Sequence, residues 1–164
     1  MTYFIGCDAH KAFSQFVVLE EHGQVRHQSK VRHARGTIRG YLQAFPAGTP
    51  VALETVGNWY WIADEMEAAG AEPRLAHAAK AKLMMGQTNK TDKLDAKGVA
   101  TLLRNGTLPT VWLPPAAIRD ERELPRTRMF LRRMRTSVKN RIHATLAKYG
   151  LPVAEVSDLV GAAG

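Results

Sequence analysis

The sequence has very little cysteine: one residue in 164, Cys7. A single thiol excludes an intramolecular disulfide and fits a reducing cytosol. Six histidines and that cysteine show no zinc-ligand spacing. No glycine-rich nucleotide loop is present. No apolar run reaches the length of a membrane span. The N-terminal Met1-Thr2-Tyr3-Phe4-Ile5-Gly6 has neither the basic start nor the apolar stretch of a signal peptide. Acids are also scarce, 15 against 23 lysines and arginines, for a net charge of +8. That balance favours polyanionic partners, nucleic acid first. With 45% hydrophobic residues, the chain has enough apolar material for one globular core plus an appendage.

Five segments read as strands. Tyr3 to Cys7 is an apolar run ending at Asp8, expected to be central and buried on both faces. Ser14 to Leu19 and Val25 to Val31 flank a turn at Glu21-His22-Gly23-Gln24 and form a hairpin. Pro50 to Glu54 again ends in an acid, and Glu72 to Ala76 is short. Helical spacing is expected over Gly36 to Phe45, Asn58 to Ala69, His77 to Met85, and from the Asp92 region to Asn105, with Gly106 as a stop. Gly86 to Lys90 reads as a polar loop. The expected architecture is α/β, a mixed sheet with helices, over residues 1–106. A proline-rich linker follows over 107–115, then a basic helical segment over 116–150 and a tail over 151–164. The basic segment is expected to break or kink at Pro125.

The few acids are placed with a pattern. Asp92 and Asp95 lie one helical turn apart, and their stripe continues as Val99, Leu102 and Leu103. Both are therefore expected to face the body of the domain. Burying carboxylates side by side is costly unless a cation or hydrogen bonds compensate. If the first and fourth strands are parallel neighbours, Asp8 and Glu54 emerge at the same sheet edge. Asp8, Glu54, Asp92 and Asp95 would then converge, and oxygen-only ligands suit Mg²⁺ or Mn²⁺. Two such ions would activate a water and stabilise the leaving oxygen of a phosphodiester. Structural roles also suit these residues: first-turn aspartates cap helices, Lys90, Lys93 and Lys97 can neutralise them, and Glu54 can pair with Lys11 or Lys93.

The basic segment carries Arg128, Arg132, Arg133, Arg135, Lys139 and Arg141 around an apolar seam of Leu131, Met134, Val138, Ile142 and Leu146. Its arginines suit phosphates and its seam suits a partner helix, the two being expected on opposite faces. His10 and Lys11 are further candidates for contact with metal or phosphate. Trp59, Tyr60 and Trp61 offer rings for base stacking, although Trp59 falls on the core side of its helix. Cys7 reads as a small core residue.

Three stretches carry a resemblance: Ile5-Gly6-Cys7-Asp8-Ala9-His10-Lys11, Ala52-Leu53-Glu54-Thr55-Val56-Gly57-Asn58-Trp59, and Lys90-Thr91-Asp92-Lys93-Leu94-Asp95-Ala96. Together with Lys139-Asn140-Arg141-Ile142-His143-Ala144 they resemble the N-terminal part of the IS-110 family of insertion-sequence transposases. The resemblance implies a RuvC-like, ribonuclease-H-type fold and a metal-binding tetrad of Asp8, Glu54, Asp92 and Asp95. It implies DNA recombination by oligomers, dimers or tetramers, guided by a structured bridge RNA, in the bacterial cytoplasm at the nucleoid. Lys11, Lys93 and the arginines of the basic segment would contact DNA or RNA. The family also carries a C-terminal domain with a strand-transfer serine, which this chain is expected to lack. Two other readings stand beside it: a RuvC-type junction endonuclease, and a non-catalytic RNA-binding and oligomerisation module.

Overall fold

The computed structural model describes residues 2–86 and 92–151, with only the backbone given for residues 92–94. Two compact units divide the chain, Met1–Pro114 and Pro115–Gly164. The first holds strands β1 (Tyr3–Ala9), β2 (Phe13–Glu20), β3 (Val25–Arg32), β4 (Pro50–Glu54) and β5 (Glu72–Ala76). Helices α1 (Thr37–Leu42), α2 (Trp59–Ala68), α3 (Ala78–Met85) and α4 (Asp92–Arg104) complete it.

The strands form one sheet in the order β3-β2-β1-β4-β5. β1 pairs antiparallel with β2 and parallel with β4, so it is central, as its apolar run predicts. The hairpin expectation extends further than stated: β1, β2 and β3 form a continuous antiparallel meander. Strand alternation sends successive side chains to opposite faces. Ile5, Cys7, Phe16, Val18, Val51 and Leu53 pack with Ile38, Leu42, Ile62 and Met66 of α1 and α2. The other face carries Val17 and Leu19 against Ala96 and Ala100, and Ala52 and Ala76 against Ala81 and Val99, all from α3 and α4 or the strands beneath them. Glu65 of α2 accepts hydrogen bonds from the Gly36 and Arg39 amides, filling a capping role at α1 from outside that helix.

Residues 108–111 run along β5 instead of hanging free. Leu108 is buried, the His77 amide donates to the Pro109 carbonyl and the Val111 amide to the Leu75 carbonyl. The second unit's helix α5 (Ala116–Lys148) is continuous through Pro125. Of the expected break or kink, the break does not occur, and Pro125 leaves the Glu121 carbonyl without its usual amide. Seam residues Leu131, Met134, Val138 and Ile142 are all exposed. Among the described residues no helix is long and apolar enough to cross a membrane. The expected loop beyond Gly86 and the tail beyond Leu151 lie outside the described residues.

Candidate metal centre and nucleic-acid contacts

Helix α4 comes close to the sheet where β1 has no side chain. A Cβ at Gly6 would meet the Ala96 carbonyl oxygen and would stand 2.8 Å from the Ala100 nitrogen and 2.9 Å from its Cβ. Glycine thus lets α4 lie with its backbone on β1. Arg104, at the helix C-terminus, reaches Gly23 in the β2–β3 turn. That turn follows Glu20, which pairs with Tyr3 at the start of β1. Helix α4 therefore runs antiparallel to β1, and its first turn points toward the Asp8 end.

The register sets the level. Asp8 is two strand residues beyond Gly6, about 6.6 Å. At about 1.5 Å per helical residue, that is four to five residues back from the Ala96–Ala100 contact. It leads to the turn containing Asp92 and Asp95. Asp95 is half-buried and precedes Val99 by one turn, on the stripe that covers Ala52 and Ala76. Of Asp92 only the backbone is described, at the first residue of the helix.

Asp8 and Glu54 follow Cys7 and Leu53, which are paired in the parallel β1–β4 ladder. Both come one step after the inward pair, so alternation places them on the α4 face at adjacent strand positions. Cys7 faces α1 and α2 instead. Burial pushes its thiol up to about 12, with the Ser14 hydroxyl opposing and the Asp8 charge adding. It is a core residue, as the sequence predicts, and stands on the wrong face to join the acids.

Asp8 retains 18% of its side-chain exposure, and its Oδ2 lies 3.0 Å from His10 Nε2. The Asn58 side-chain amide at the head of α2 donates to the His10 carbonyl at 2.8 Å, pinning this loop. Sequence reasoning offered Asn58 only as a helix start; the pin is what the structure adds. His10, Lys11, Val56, Gly57 and Asn58 line an open cleft of ≈ 340 Å³ at this end of the sheet. Below it, His33 Nε2 meets the Ser14 hydroxyl at 2.8 Å. Burial lowers the His33 pKa, a hydrogen bond to the Lys11 backbone opposes that, and His10 adds to the lowering.

Among the described residues no group of three or more His, Cys, Asp or Glu side chains is close enough to hold a metal ion. The side chain of Asp92 lies outside that set. The donor chemistry fits a hard divalent cation: carboxylate oxygens on adjacent strands, with a half-buried aspartate on the helix above.

A protein-family model for transposases, the DEDD type of the IS-110 group, matches residues 5–151. The chain belongs to this family. Among solved structures it is similar to T. thermophilus RuvC in complex with a Holliday junction substrate, at 14% identity and a TM-score of 0.44. That match covers 68% of this chain and 100% of the other. No curated protein matches. The sheet order, the mixed pairing and the helices on both faces are the mixed α/β sheet flanked by helices that the sequence predicts.

The expected phosphate-contacting residues fall into two groups. Lys11 is exposed in the β1–β2 turn, and Lys93 lies on the backbone-only part of α4. Arg128, Arg132, Arg133, Arg135 and Arg141 are exposed on α5, while Lys139 is half-buried. Arg128, Arg132, Arg135 and Lys139 recur at helical spacing as one stripe. At about 100° per residue the stripe borders the apolar seam, roughly a quarter turn away. The expectation of opposite faces is corrected to neighbouring ones; only Arg133 and Arg141 lie away from that stripe.

Proposed function

We propose that this chain is the metal-dependent catalytic part of a DNA transposase/recombinase, cutting and exchanging strands of an insertion sequence under the guidance of a structured bridge RNA. The observation that carries the reading is the placement of Asp8 and Glu54 at adjacent positions on parallel strands, facing the helix whose first turn bears Asp92 and Asp95. Asp8, Glu54, Asp92 and Asp95 are the proposed ligands of Mg²⁺ or Mn²⁺, two ions in all. Bound there, such ions supply an activated water or hydroxyl and neutralise charge on the leaving oxygen.

The chain's own residues do the rest. His10 Nε2 stands 3.0 Å from the Asp8 carboxylate, beside the proposed ligands. Lys11 and Lys93 contact phosphates flanking the cut. Arg128, Arg132, Arg133, Arg135, Lys139 and Arg141 bind the DNA or RNA backbone, supported by their charge and exposure. The seam of α5 packs on a second copy, giving a dimer or tetramer.

The test is calorimetric titration of Mn²⁺ into the unmodified chain, Asp8→Asn and Glu54→Gln, beside cleavage of branched DNA with and without RNA. At least tenfold weaker ion binding by each variant is expected. Indistinguishable binding by all three proteins would refute the metal centre. RNA-independent cutting of four-way junctions would replace the transposase reading by a junction endonuclease. RNA binding unchanged after loss of all four acids, with no response to metal, would leave a binding module.

A further inference from the structure

Five residues stand at one level across the sheet. The pairings Ala76↔Glu54, Asp8↔Gln15 and Gln15↔Lys30 put Ala76, Glu54, Asp8, Gln15 and Lys30 in a row, with Asp8 beside Glu54 by the β1–β4 register. Directly paired residues share a face. The row therefore lies on the α4 side, and Arg32, paired with Phe13 two residues on, lies there too. Helix α4 packs on β1, β2 and β4, while Lys30 and Arg32 on the edge strand β3 stay exposed.

The row is chemically graded: two carboxylates, a buried neutral amide, then a cation. Gln15 is 5% exposed and donates to the Phe16 carbonyl, so it separates Lys30 from Asp8 without adding charge. Contacts run the same way. Asp8 meets His10 at 3.0 Å, the His10 ring stacks on Phe13 at 4.5 Å, and the Lys30 ammonium sits 3.7 Å from the Phe13 ring centre. Two strand spacings, about 10 Å, separate Lys30 from Asp8 along the sheet. A phosphodiester brought to a pair of carboxylates is repelled by them, and a fixed cation just beyond the acids offsets that repulsion.

We propose that the open face of β3 is a DNA-backbone ledge, on which Lys30 and Arg32 hold phosphates of the strand that enters the acid end, with Phe13 holding Lys30 in place. This rests on the transposase reading above. Neither residue stands out in the sequence, because an edge strand with lysine and arginine also reads as protection against sheet-edge pairing. What distinguishes them is a register visible only once the strands are paired.

Arg26 supplies the control. The β2–β3 register shifts at Val18/Leu19, and Arg26 lines a groove with Tyr3, Tyr41 and Phe45 on the α1 side. It removes the same charge from the same strand on the opposite face. The experiment is fluorescence anisotropy of a labelled branched DNA with the full chain in EDTA, across a salt series. Lys30→Gln is expected to bind about tenfold more weakly. Its log–log salt slope should be shallower by about 0.9, the loss of one phosphate contact. Lys30→Arg should bind within twofold of the unmodified chain, and so should Arg26→Gln.

Equal losses in Lys30→Gln and Arg26→Gln would overturn the ledge, since charge alone would then explain them. So would an unchanged slope in Lys30→Gln, self-association of that variant without loss of affinity, or no DNA binding by the unmodified chain. Mn²⁺ titration of Asp8→Asn runs in parallel. A lost ledge with an Asp8-dependent ion response leaves the metal centre standing; a Lys30-dependent slope with no such response does the reverse.

Discussion

Replacing Gly6 with alanine adds one methyl group where α4 lies with its backbone close to the sheet. That methyl would stand 2.8 Å from the Ala100 nitrogen and 2.9 Å from its Cβ, and closer still to the Ala96 carbonyl. Ordinary contact begins near 3.4 Å, so the helix must retreat by at least about 0.6 Å on the Ala100 side alone. All the obstructing atoms but one are backbone, which cannot rotate away. Overpacking of this kind costs about 1–3 kcal/mol. For a unit of this size, with about 2.1 cal/mol/K of unfolding entropy per residue, the melting temperature falls by about 4–12 °C. Because the first turn of α4 carries two of the proposed ligands, a displacement approaching 1 Å is expected to lower Mn²⁺-dependent cleavage by about 100-fold, more than the stability loss would suggest. Gly40→Ala is the counter-experiment. Gly40 lies inside α1 with nothing within 4 Å of an added Cβ, so alanine there stabilises by about 0.5–1 kcal/mol. Thermal unfolding followed by circular dichroism reads both. A Gly6→Ala protein melting within 1 °C of the unmodified chain, with full cleavage, would show that α4 is not seated on β1 as described.

Three other outcomes follow from the same structure. The His33 pKa is lowered on folding, chiefly by burial. The unfolded chain therefore takes up the proton first, and this group's stabilisation, complete above 6.5, is lost as pH falls below that value. The fall in melting temperature between pH 7.5 and 5.5 should be smaller in His33→Gln, and an equal fall would rule the histidine out. Cys7, buried and with its thiol pushed up to about 12, should resist a disulfide-exchange reagent at pH 8 until the chain is unfolded in guanidinium; stoichiometric labelling of the native protein within seconds would contradict its burial. Pro125 lies inside α5, so Pro125→Ala should raise the thermal stability of that helix, by up to about 3 kcal/mol, read as retained 222-nm ellipticity on heating. A lower helix signal would mean that the proline is favoured by its surroundings.

Much of the fold was legible because its strands are short apolar runs bounded by turn residues. β4 and β5 were placed to the residue, since Pro50 opens one and Glu54 closes it, while Gly70 and Glu72 mark the start of the other. β1 and β2 run further than expected because pairing extends a ladder through polar residues such as Asp8 and Glu20 that carry no strand signal themselves. At Pro125 the helix does not break: one lost hydrogen bond is a local cost, and the long helical pattern around it outweighs that cost. The candidate ligands were legible as acids at strand ends and a helix start. The level at which α4 meets β1 was not, because it depends on the absence of a side chain at Gly6. Lys30 and Arg32 were passed over since nothing local separates them from any edge-strand lysine or arginine.

The acid end of this sheet draws on residues 8 and 54 from neighbouring strands and on a helix that closes only at Arg104. At about 5–20 residues per second, a ribosome needs roughly 5–20 s to pass from the first of these to the last. For the part of that interval after Glu54, roughly 2.5–10 s, a nascent chain can lay β1, β2, β3 and β4 side by side and still expose the bare surface around Gly6 where α4 will sit. The four proposed ligands are all present only once that helix has been made. An order of synthesis that delivers the cover last keeps a DNA-cutting centre, on this reading, from existing in half-made protein.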